Sequence, residues 1–188
     1  MPDLRCGYIG VGAMGLPMAL NLLKAGFPVA FATGRAAAAD ELTAAGATRY
    51  PTAREVAAAS DVVCMCVPAD AEVEDAIMRA DGILAGLAPG GVIVEMSTAS
   101  PGVVQRAAAA ATERGVHVLD VPVSGGVGGA QKGTLTLMVG GEADVLERAR
   151  PALAAMGTNI YHVGPVGMGK VFKIINNMLG GVQAALAA

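Results

Sequence analysis

Short runs of β-branched and other apolar residues alternate along the chain with longer, alanine-rich stretches of helical character. Such alternation is typical of a mainly parallel sheet that is covered by helices on both faces. The pattern predicts strands near residues 6–10, 28–33, 47–50, 61–67, 91–96, 117–122, 134–139 and 159–163, with helices in the intervals. We therefore expect an α/β fold.

Two helix starts carry recognisable capping signals. Thr52 and Glu55 have the spacing of a capping box, in which each side chain satisfies a backbone N–H group at the start of a helix. Farther along, Ser100 is suited to the N-cap, Pro101 to the first helical position and Gly115 to the end of the same helix. These signals predict helices that begin near residues 53 and 101.

The last part of the sequence keeps a helical pattern from Gly169 to the final residue, with no glycine stop, basic last turn or proline. We expect residues 1–163 to form one domain and residues 164–188 to begin a long interdomain helix. The apolar terminus "AALAA" favours a further, C-terminal domain that this chain lacks. Fraying of the last few residues is the alternative.

The composition narrows the classes of function. The 188 residues carry a formal net charge of −3 without a run of Lys or Arg, so we expect no binding of nucleic acid or of an anionic membrane. Apolar residues make up 54% of the chain, but no uninterrupted stretch is long enough to span a bilayer. We expect a soluble, cytoplasmic protein that acts on a small molecule.

Metal and hydrolytic chemistry have little support in the sequence. Cys6, Cys64 and Cys66 lack metal-type spacing, and the last two lie in an apolar run where they are expected to pack as small apolar groups. His117 and His162 have no partner at metal or triad spacing, so we expect structural roles for both. No nucleophile elbow or Walker loop is present, and no metal site is predicted.

A glycine-rich turn near the N-terminus, in "YIGVGAMGLPMALNLLKAG", has the spacing G-x-G-x-x-G. The spacing alone is weak, but here it follows a predicted strand and opens a predicted helix, as in a Rossmann dinucleotide-binding unit. The first glycine permits the tight turn, the second lets a pyrophosphate approach the backbone, and the third allows close packing of helix and strand. The candidate cofactor-binding residues here are Gly10, Gly12, Ala13, Met14 and Gly15.

The end of the second predicted strand carries the residues that would meet the adenosine ribose. An NAD-binding unit is expected to place Asp or Glu there, but the sequence has Thr33, Gly34 and Arg35. The guanidinium of Arg35 could pair with a 2′-phosphate, so NADP is favoured over NAD as the cofactor. The alternative is that Arg35 is an ordinary solvated side chain.

Three later segments carry a family resemblance. They read "EMSTASP" from residue 95, "DVPVSGGVGGAQKGTLTLMVGG" from residue 120 and "GPVGMGKVFKIINN" from residue 164. Together with the glycine turn, and in this order, they resemble the β-hydroxyacid dehydrogenases, which include 3-hydroxyisobutyrate dehydrogenase and tartronate semialdehyde reductase. The resemblance implies a Rossmann domain joined by a long helix to an all-helical domain that completes the pocket and usually the dimer. A homo-oligomer is therefore expected.

The resemblance also implies a catalytic pair. The family pattern G-x-G-x-x-x-K-x-x-N-N places the catalytic lysine at Lys173 and its partner at Asn177. The two are four residues apart on a predicted helix, so both side chains can reach one substrate oxygen. A lysine ammonium can protonate a carbonyl oxygen as hydride arrives, and the amine can take the proton back. Lys170 is off the pattern and is expected at the surface.

Further contacts follow from the resemblance. Ser124, Gly125 and Gly126 follow a predicted strand and would bind a substrate carboxylate, although a plain glycine loop is the competing interpretation. Four residues at strand ends would touch the cofactor, although such loops are also ordinary connections: Val67, Pro68, Val73 and Thr98.

The sequence therefore predicts an NADP-preferring oxidoreductase that interconverts a short β-hydroxyacid and its semialdehyde or keto acid. A cofactor-binding module without turnover is the second hypothesis, because the second wall of the pocket would be missing. Imine reductases resemble this family but usually replace the catalytic lysine. The presence of Lys173 here therefore counts against an imine reductase. 6-Phosphogluconate dehydrogenases need phosphate-binding basic residues that the sequence does not reveal.

Overall fold

The centre of the fold is one mixed sheet. In the computed structural model, which describes residues 3–186, this sheet has nine strands. They are β1 Cys6–Ile9, β2 Val29–Ala32, β3 Thr48–Arg49, β4 Val62–Met65, β5 Val92–Glu95, β6 His117–Asp120, β7 Val123–Ser124, β8 Leu135–Gly140 and β9 Gly157–Gly164. Their spatial order is β3-β2-β1-β4-β5-β6-β8-β7, with β9 paired to β8. The expected α/β architecture is confirmed.

Helices connect the strands and cover both faces of the sheet. They are α1 Gly15–Lys24, α2 Ala36–Ala44, α3 Ala53–Ala58, α4 Asp70–Met78, α5 Pro101–Thr112, α6 Gly126–Lys132, α7 Ala143–Met156 and α8 Met168–Leu186. One core cluster packs under α1, α2, α6 and α7, and a second packs under α3, α4 and α5. The chain is thus doubly wound.

The apolar runs form the inner strands because their side chains are buried on both faces of the sheet. In β4, Val62 and Cys64 belong to the first core cluster, whereas Val63 and Met65 belong to the second. Alternate residues of a strand point to opposite faces, so a continuous apolar run fills both layers. Cys64 is fully buried and packs as a small apolar group, as expected.

The parallel part of the sheet creates a crevice. β1 lies between β2 and β4 and pairs in parallel with both. The chain runs outward from β1 through β2 to β3, and then returns to the other side of β1 to form β4. Ligands of open α/β sheets bind outside the carboxyl ends of the strands at such a reversal. The glycine turn follows the carboxyl end of β1 at this point.

The far half of the sheet departs from a purely parallel arrangement. β8 pairs antiparallel with β6 and β7, and parallel with β9. β7 was not expected from the sequence: it has two residues and begins three positions after the end of β6, so its apolar residues merge with the run that predicts β6. β7 matters for the site, since Ser124 is its last residue.

The capping signals are met to different degrees. The hydroxyl of Thr52 accepts the backbone N–H of Glu55, which confirms that cap of α3. Ser100 precedes α5, but its hydroxyl donates to Asp70 Oδ2 at 2.5 Å instead of capping the helix.

Within residues 3–186, no helix combines the length and the apolar character that crossing a membrane requires.

Candidate active site

A pocket of about 580 Å³ lies at the reversal of strand order. The glycine turn forms its floor, the segment after β2 forms one side, and the segments after β4 and β5 form the other. Its lining residues are Gly10, Val11, Gly12, Ala13, Met14, Gly15, Ala32, Thr33, Gly34, Arg35, Cys66, Val67, Pro68 and Thr98. The structure thus brings together all the residues predicted for the cofactor except Val73.

The three glycines of the turn have different surroundings. Gly10 has φ +85°, and a Cβ there would meet the carbonyl oxygen of Cys66. A Cβ on Gly15 would collide with the carbonyl oxygen of Gly10, so helix α1 packs directly on the turn. A Cβ on Gly12 would meet nothing within 4 Å. The space above Gly12 therefore suits a pyrophosphate that approaches the backbone.

The start of helix α1 is open to an anion. Met14 occupies the N-cap position, makes no side-chain capping hydrogen bond, and is followed by no acidic residue in the first turn. The first N–H groups of a helix need partners from outside the helix, and the helix dipole favours a negative charge there. The turn and the helix start together fit the pyrophosphate of a dinucleotide.

The segment after β2 is held by two hydrogen bonds on Thr33. Its hydroxyl accepts the backbone N–H of Arg35 at 3.1 Å, and its carbonyl oxygen accepts Nη2 of Arg49 at 3.0 Å. Arg35 lines this pocket. Among the described residues, none of those that line this same pocket is acidic. Arg49, in the short strand β3 next to β2, was not among the residues expected near the pocket.

The opposite wall is held by a chain of buried polar contacts. The backbone N–H of Val67 donates to Ser97 Oγ at 2.9 Å, and the backbone N–H of Ser97 donates to Glu95 Oε1 at 2.8 Å. Thr98 follows this chain and lines the pocket. Val73 does not reach the pocket: its side chain has no exposed surface and packs in the core beneath α4.

Lys170 is the main departure from the sequence analysis. The prediction of a surface residue is wrong, because Lys170 is fully buried. Its Nζ lies 2.5 Å from Glu95 Oε2 and forms a buried ion pair with it. The same ammonium donates to the carbonyl oxygens of Ser97 at 2.8 Å and Glu95 at 3.2 Å. These acceptors satisfy the three donors of a lysine, which explains its burial.

Asp120 completes the joint between helix α8 and the sheet. Its carboxylate accepts the backbone N–H groups of Gly167 at 2.9 Å and of Lys170 at 3.0 Å. Burial raises the pKa of Asp120, and the two N–H groups and the Lys170 charge oppose that rise. A Cβ on Gly169 would crowd Asp120, so the glycine allows the helix to approach the strand closely.

The predicted catalytic pair lies one turn farther along α8. Lys173 is partly buried, and desolvation lowers the pKa of its ammonium. Asn177 is exposed, and the only hydrogen bond of its side chain in residues 3–186 links its Oδ1 to Asn176 Nδ2 at 3.5 Å. A lowered pKa brings a lysine closer to the range in which it can exchange a proton.

The predicted carboxylate cradle lies at the β7–α6 junction. Ser124 is partly buried, and Gly125 and Gly126 follow it with φ values of +132° and +61°. Positive φ favours glycine, which accounts for the "SGG" sequence at this bend. None of the three lines the glycine-turn pocket, so the cradle is a separate part of the site.

The chain also matches a known protein family. Residues 5–164 match the model of the NAD binding domain of 6-phosphogluconate dehydrogenase, which accounts for most of the chain. The chain belongs to this family. The match covers the sheet from β1 to β9 and the pocket described above, so the dinucleotide-binding nature of the domain is established.

Similar proteins support the resemblance to β-hydroxyacid dehydrogenases. The NAD-dependent L-serine dehydrogenase of Pseudomonas aeruginosa is 49% identical and matches 93% of this chain over 59% of its own length. The 2-hydroxy-3-oxopropionate reductase of Escherichia coli is 41% identical over 94% of this chain and 60% of its own. A solved Mycobacterium tuberculosis 3-hydroxyisobutyrate dehydrogenase with L-serine has a TM-score of 0.90 and 37% identity, covering 96% of this chain and 61% of that one. The chain thus spans about three fifths of these relatives.

Proposed function

We propose that the chain is the cofactor-binding part of an NADP-preferring oxidoreductase that interconverts a short β-hydroxyacid and its semialdehyde or keto acid. The observation that carries the proposal is the glycine turn: Gly10 and Gly15 are enclosed, and only Gly12 leaves space above the backbone. This is the arrangement that a dinucleotide-binding turn needs: a tight turn at the first glycine, space for the pyrophosphate at the second, and close helix packing at the third.

The preference for NADP rests on the segment after β2. Thr33, Gly34 and Arg35 occupy the place where a carboxylate would accept the hydroxyls of an NAD ribose. A guanidinium favours a phosphate at that place and offers no acceptor to a hydroxyl. The L-serine dehydrogenase relative is NAD-dependent, so NAD is the alternative that the experiment must test.

The proposed chemistry assigns the proton to Lys173. The nicotinamide, when bound, supplies or accepts the hydride at the substrate carbon. In the reductive direction the Lys173 ammonium gives a proton to the carbonyl oxygen, which becomes the hydroxyl; in the oxidative direction the neutral amine takes that proton back. The desolvation that lowers the pKa of Lys173 makes both protonation states accessible nearer to neutral pH.

The proposed substrate class follows from the remaining groups. Asn177 would orient the reacting oxygen, and Ser124 with Gly125 and Gly126 would bind the carboxylate. The relatives act on small hydroxy or oxo acids, as their names state, and this supports a substrate whose carboxylate is separated from the reacting carbon by one further carbon. A homo-oligomer is part of the same proposal.

A second candidate function is cofactor binding without turnover. The face of α8 beyond Lys173 is exposed and apolar, so the chain leaves the region around the catalytic lysine open to water. Water in the site weakens the positioning and the electrostatic contacts that hydride transfer depends on.

The first experiment is a fluorescence titration of the chain with NADPH and with NADH, followed by a panel of short aldehyde and keto acids. We expect Gly12→Ala to weaken binding of both nucleotides at least about ten-fold, because its methyl group would occupy the pyrophosphate space. Gly180→Ala is the matched control: its Cβ would also meet nothing within 4 Å, but it lies on exposed α8.

The outcomes separate the two functions. Oxidation of NADPH that Lys173→Ala abolishes supports the dehydrogenase, whereas tight binding without turnover supports the binding module. Failure to bind either nucleotide, or equal binding by Gly12→Ala and the parent, would contradict the role of the glycine turn.

A further inference from the structure

We propose that Arg49 is a specificity-determining residue, which together with Arg35 binds the 2′-phosphate of NADP. The inference deepens the proposed function and rests on its preference for NADP. It concerns a residue that neither the glycine turn nor the family motifs include. Its basis is the position, the hydrogen bonding and the charge environment of the Arg49 guanidinium.

The backbone places Arg49 beside the segment that receives the ribose. β3 runs parallel to β2, with Arg49 in register with Phe31. The next residue, Tyr50, donates its backbone N–H to the carbonyl oxygen of Phe31 at 2.8 Å, which fixes this register. The Arg49 side chain then reaches forward along β2, and its Nη2 lies 3.0 Å from the carbonyl oxygen of Thr33.

This hydrogen bond orients the guanidinium without using it up. A guanidinium carries five N–H donors in one plane, so the bond to Thr33 leaves most of them free. The free donors can form a bidentate contact with a phosphate, and the bond to Thr33 reduces the side-chain freedom lost on binding. Arg35 lies two residues after Thr33 in the same segment, so the guanidinium groups of Arg35 and Arg49 can converge on one phosphate.

The charge balance of the segment favours an anion. Within residues 3–186, neither Arg35 nor Arg49 has a carboxylate within 4.0 Å, whereas Arg79 pairs with both Asp75 and Asp81. The cleft next to Thr33 and Gly34 is also lined by Glu72, Asp75 and Arg79. Arg79 offers one positive charge to the two carboxylates of Asp75 and Asp81, so with Glu72 this side of the cleft stays acidic, and an anion is favoured only by Arg35 and Arg49.

The alternative role of Arg49 is structural. Its hydrogen bond to Thr33 could simply hold the segment after β2 in place, and the segment forms part of the pocket for either nucleotide. A purely structural role affects NADPH and NADH alike, because both share the adenosine ribose. A phosphate-binding role affects only the ligand that carries the 2′-phosphate. The two roles therefore differ in the ratio of the two dissociation constants.

The test measures dissociation constants of NADPH and NADH for the parent, Arg49→Met, Arg49→Lys and Arg35→Met. We expect Arg49→Met to weaken NADPH at least about ten-fold and NADH less than about three-fold, as for loss of a charge-assisted contact. Arg49→Lys keeps the charge but loses the planar fork, so its dissociation constant for NADPH should fall between those of the parent and Arg49→Met. Arg54→Met changes an exposed arginine on α3, five residues after Arg49; it is the matched control and should leave both constants unchanged.

Two fragments remove the nicotinamide from the comparison. Adenosine 2′,5′-bisphosphate carries the 2′-phosphate and adenosine 5′-monophosphate lacks it, so Arg49→Met should reduce only the binding of the bisphosphate. Equal losses for both fragments would overturn the proposal and leave Arg49 a structural residue. An NADPH preference that Arg35→Met abolishes and Arg49→Met leaves intact would also overturn it. A parent without any NADPH preference would instead contradict the proposed function, before any variant is compared.

Discussion

The first turn of helix α8 and the rest of that helix lie in opposite environments. At the start, Gly169 and Lys170 are buried against the sheet and held by Asp120 and Glu95. Beyond Lys173 the helix is exposed on all described residues. Large apolar side chains dominate this part, with more than two fifths of their surface in solvent: Ile174, Ile175, Met178, Leu179, Val182 and Leu186.

This contrast within α8 shows that only the start of the helix is fixed in position by buried contacts. The buried joint ties the start of α8 to Glu95 and Ser97, and Ser97 in turn holds Val67 in the wall of the pocket. The position of the helix start is therefore coupled to the cofactor wall. Within residues 3–186, the exposed part of α8 has no comparable buried contacts.

The largest expected effect is at the buried joint. Lys170→Met removes the ammonium and leaves the Glu95 carboxylate buried beside it without a counter-charge. Breaking a buried ion pair in this way costs about 3–5 kcal/mol of unfolding free energy. Urea denaturation at pH 7, followed by circular dichroism, measures the loss as a lower midpoint.

A double variant tests the reason for that loss. In Lys170→Met with Glu95→Gln, neither charge remains, and glutamine keeps an oxygen for the Ser97 N–H group. Replacing both members of a buried pair is often nearly neutral, so most of the lost stability should return. If Lys170→Met alone costs less than about 1 kcal/mol, water reaches Glu95 and the joint is not the rigid part of α8.

An intermediate effect is expected on the exposed part of α8. If two copies associate through this face, as proposed for the oligomer, Leu179→Glu places a charge in the contact. Burial of a leucine side chain contributes about 1.5–3 kcal/mol, so the dimer should dissociate at protein concentrations at least about ten times higher than for the parent. Light scattering over a concentration series measures the shift.

The control is Thr43→Glu, which adds the same charge to an exposed position of helix α2, outside this face. It should change the dissociation little. A parent that is a monodisperse monomer at all concentrations would contradict association through this face, and the contrast between the two parts of the helix would then have no role in assembly.

The sequence was informative where a residue's role depends on its neighbours along the chain. The apolar runs predicted the strands, Thr52 and Glu55 predicted a cap, and the spacing of the three glycines predicted the turn. In each case the relevant contacts are local or follow from a regular period. The same holds for the parallel pairing of the first strands, which helical connections between successive strands impose.

Prediction failed where a residue's role depends on a distant partner. Lys170 is buried because Glu95, 75 positions earlier, supplies a carboxylate and a carbonyl oxygen. Arg49 reaches Thr33, in the segment after β2, only because β3 lies beside β2. Val73 was expected at the cofactor, but its face of α4 turns into the core. None of these pairings has a signal in a single sequence.

The smallest expected effect is at Lys173, only three positions from Lys170. Lys173→Met should change the unfolding free energy by less than about 0.5 kcal/mol at pH 7, because the side chain has no ion pair in the described chain and is only partly buried. Desolvation lowers the folded-state pKa below the ordinary 10.5, so the folded protein binds fewer protons than the unfolded chain between those two values. The parent's stability relative to Lys173→Met should therefore rise with pH across this window and level off above 10.5.

Urea midpoints of both proteins between pH 7 and 11 measure this difference in stability. Groups that both proteins share titrate alike, so their contributions cancel in the difference. A loss at pH 7 as large as that of Lys170→Met would show that both lysines belong to the buried joint, and the catalytic assignment of Lys173 would lose its physical basis.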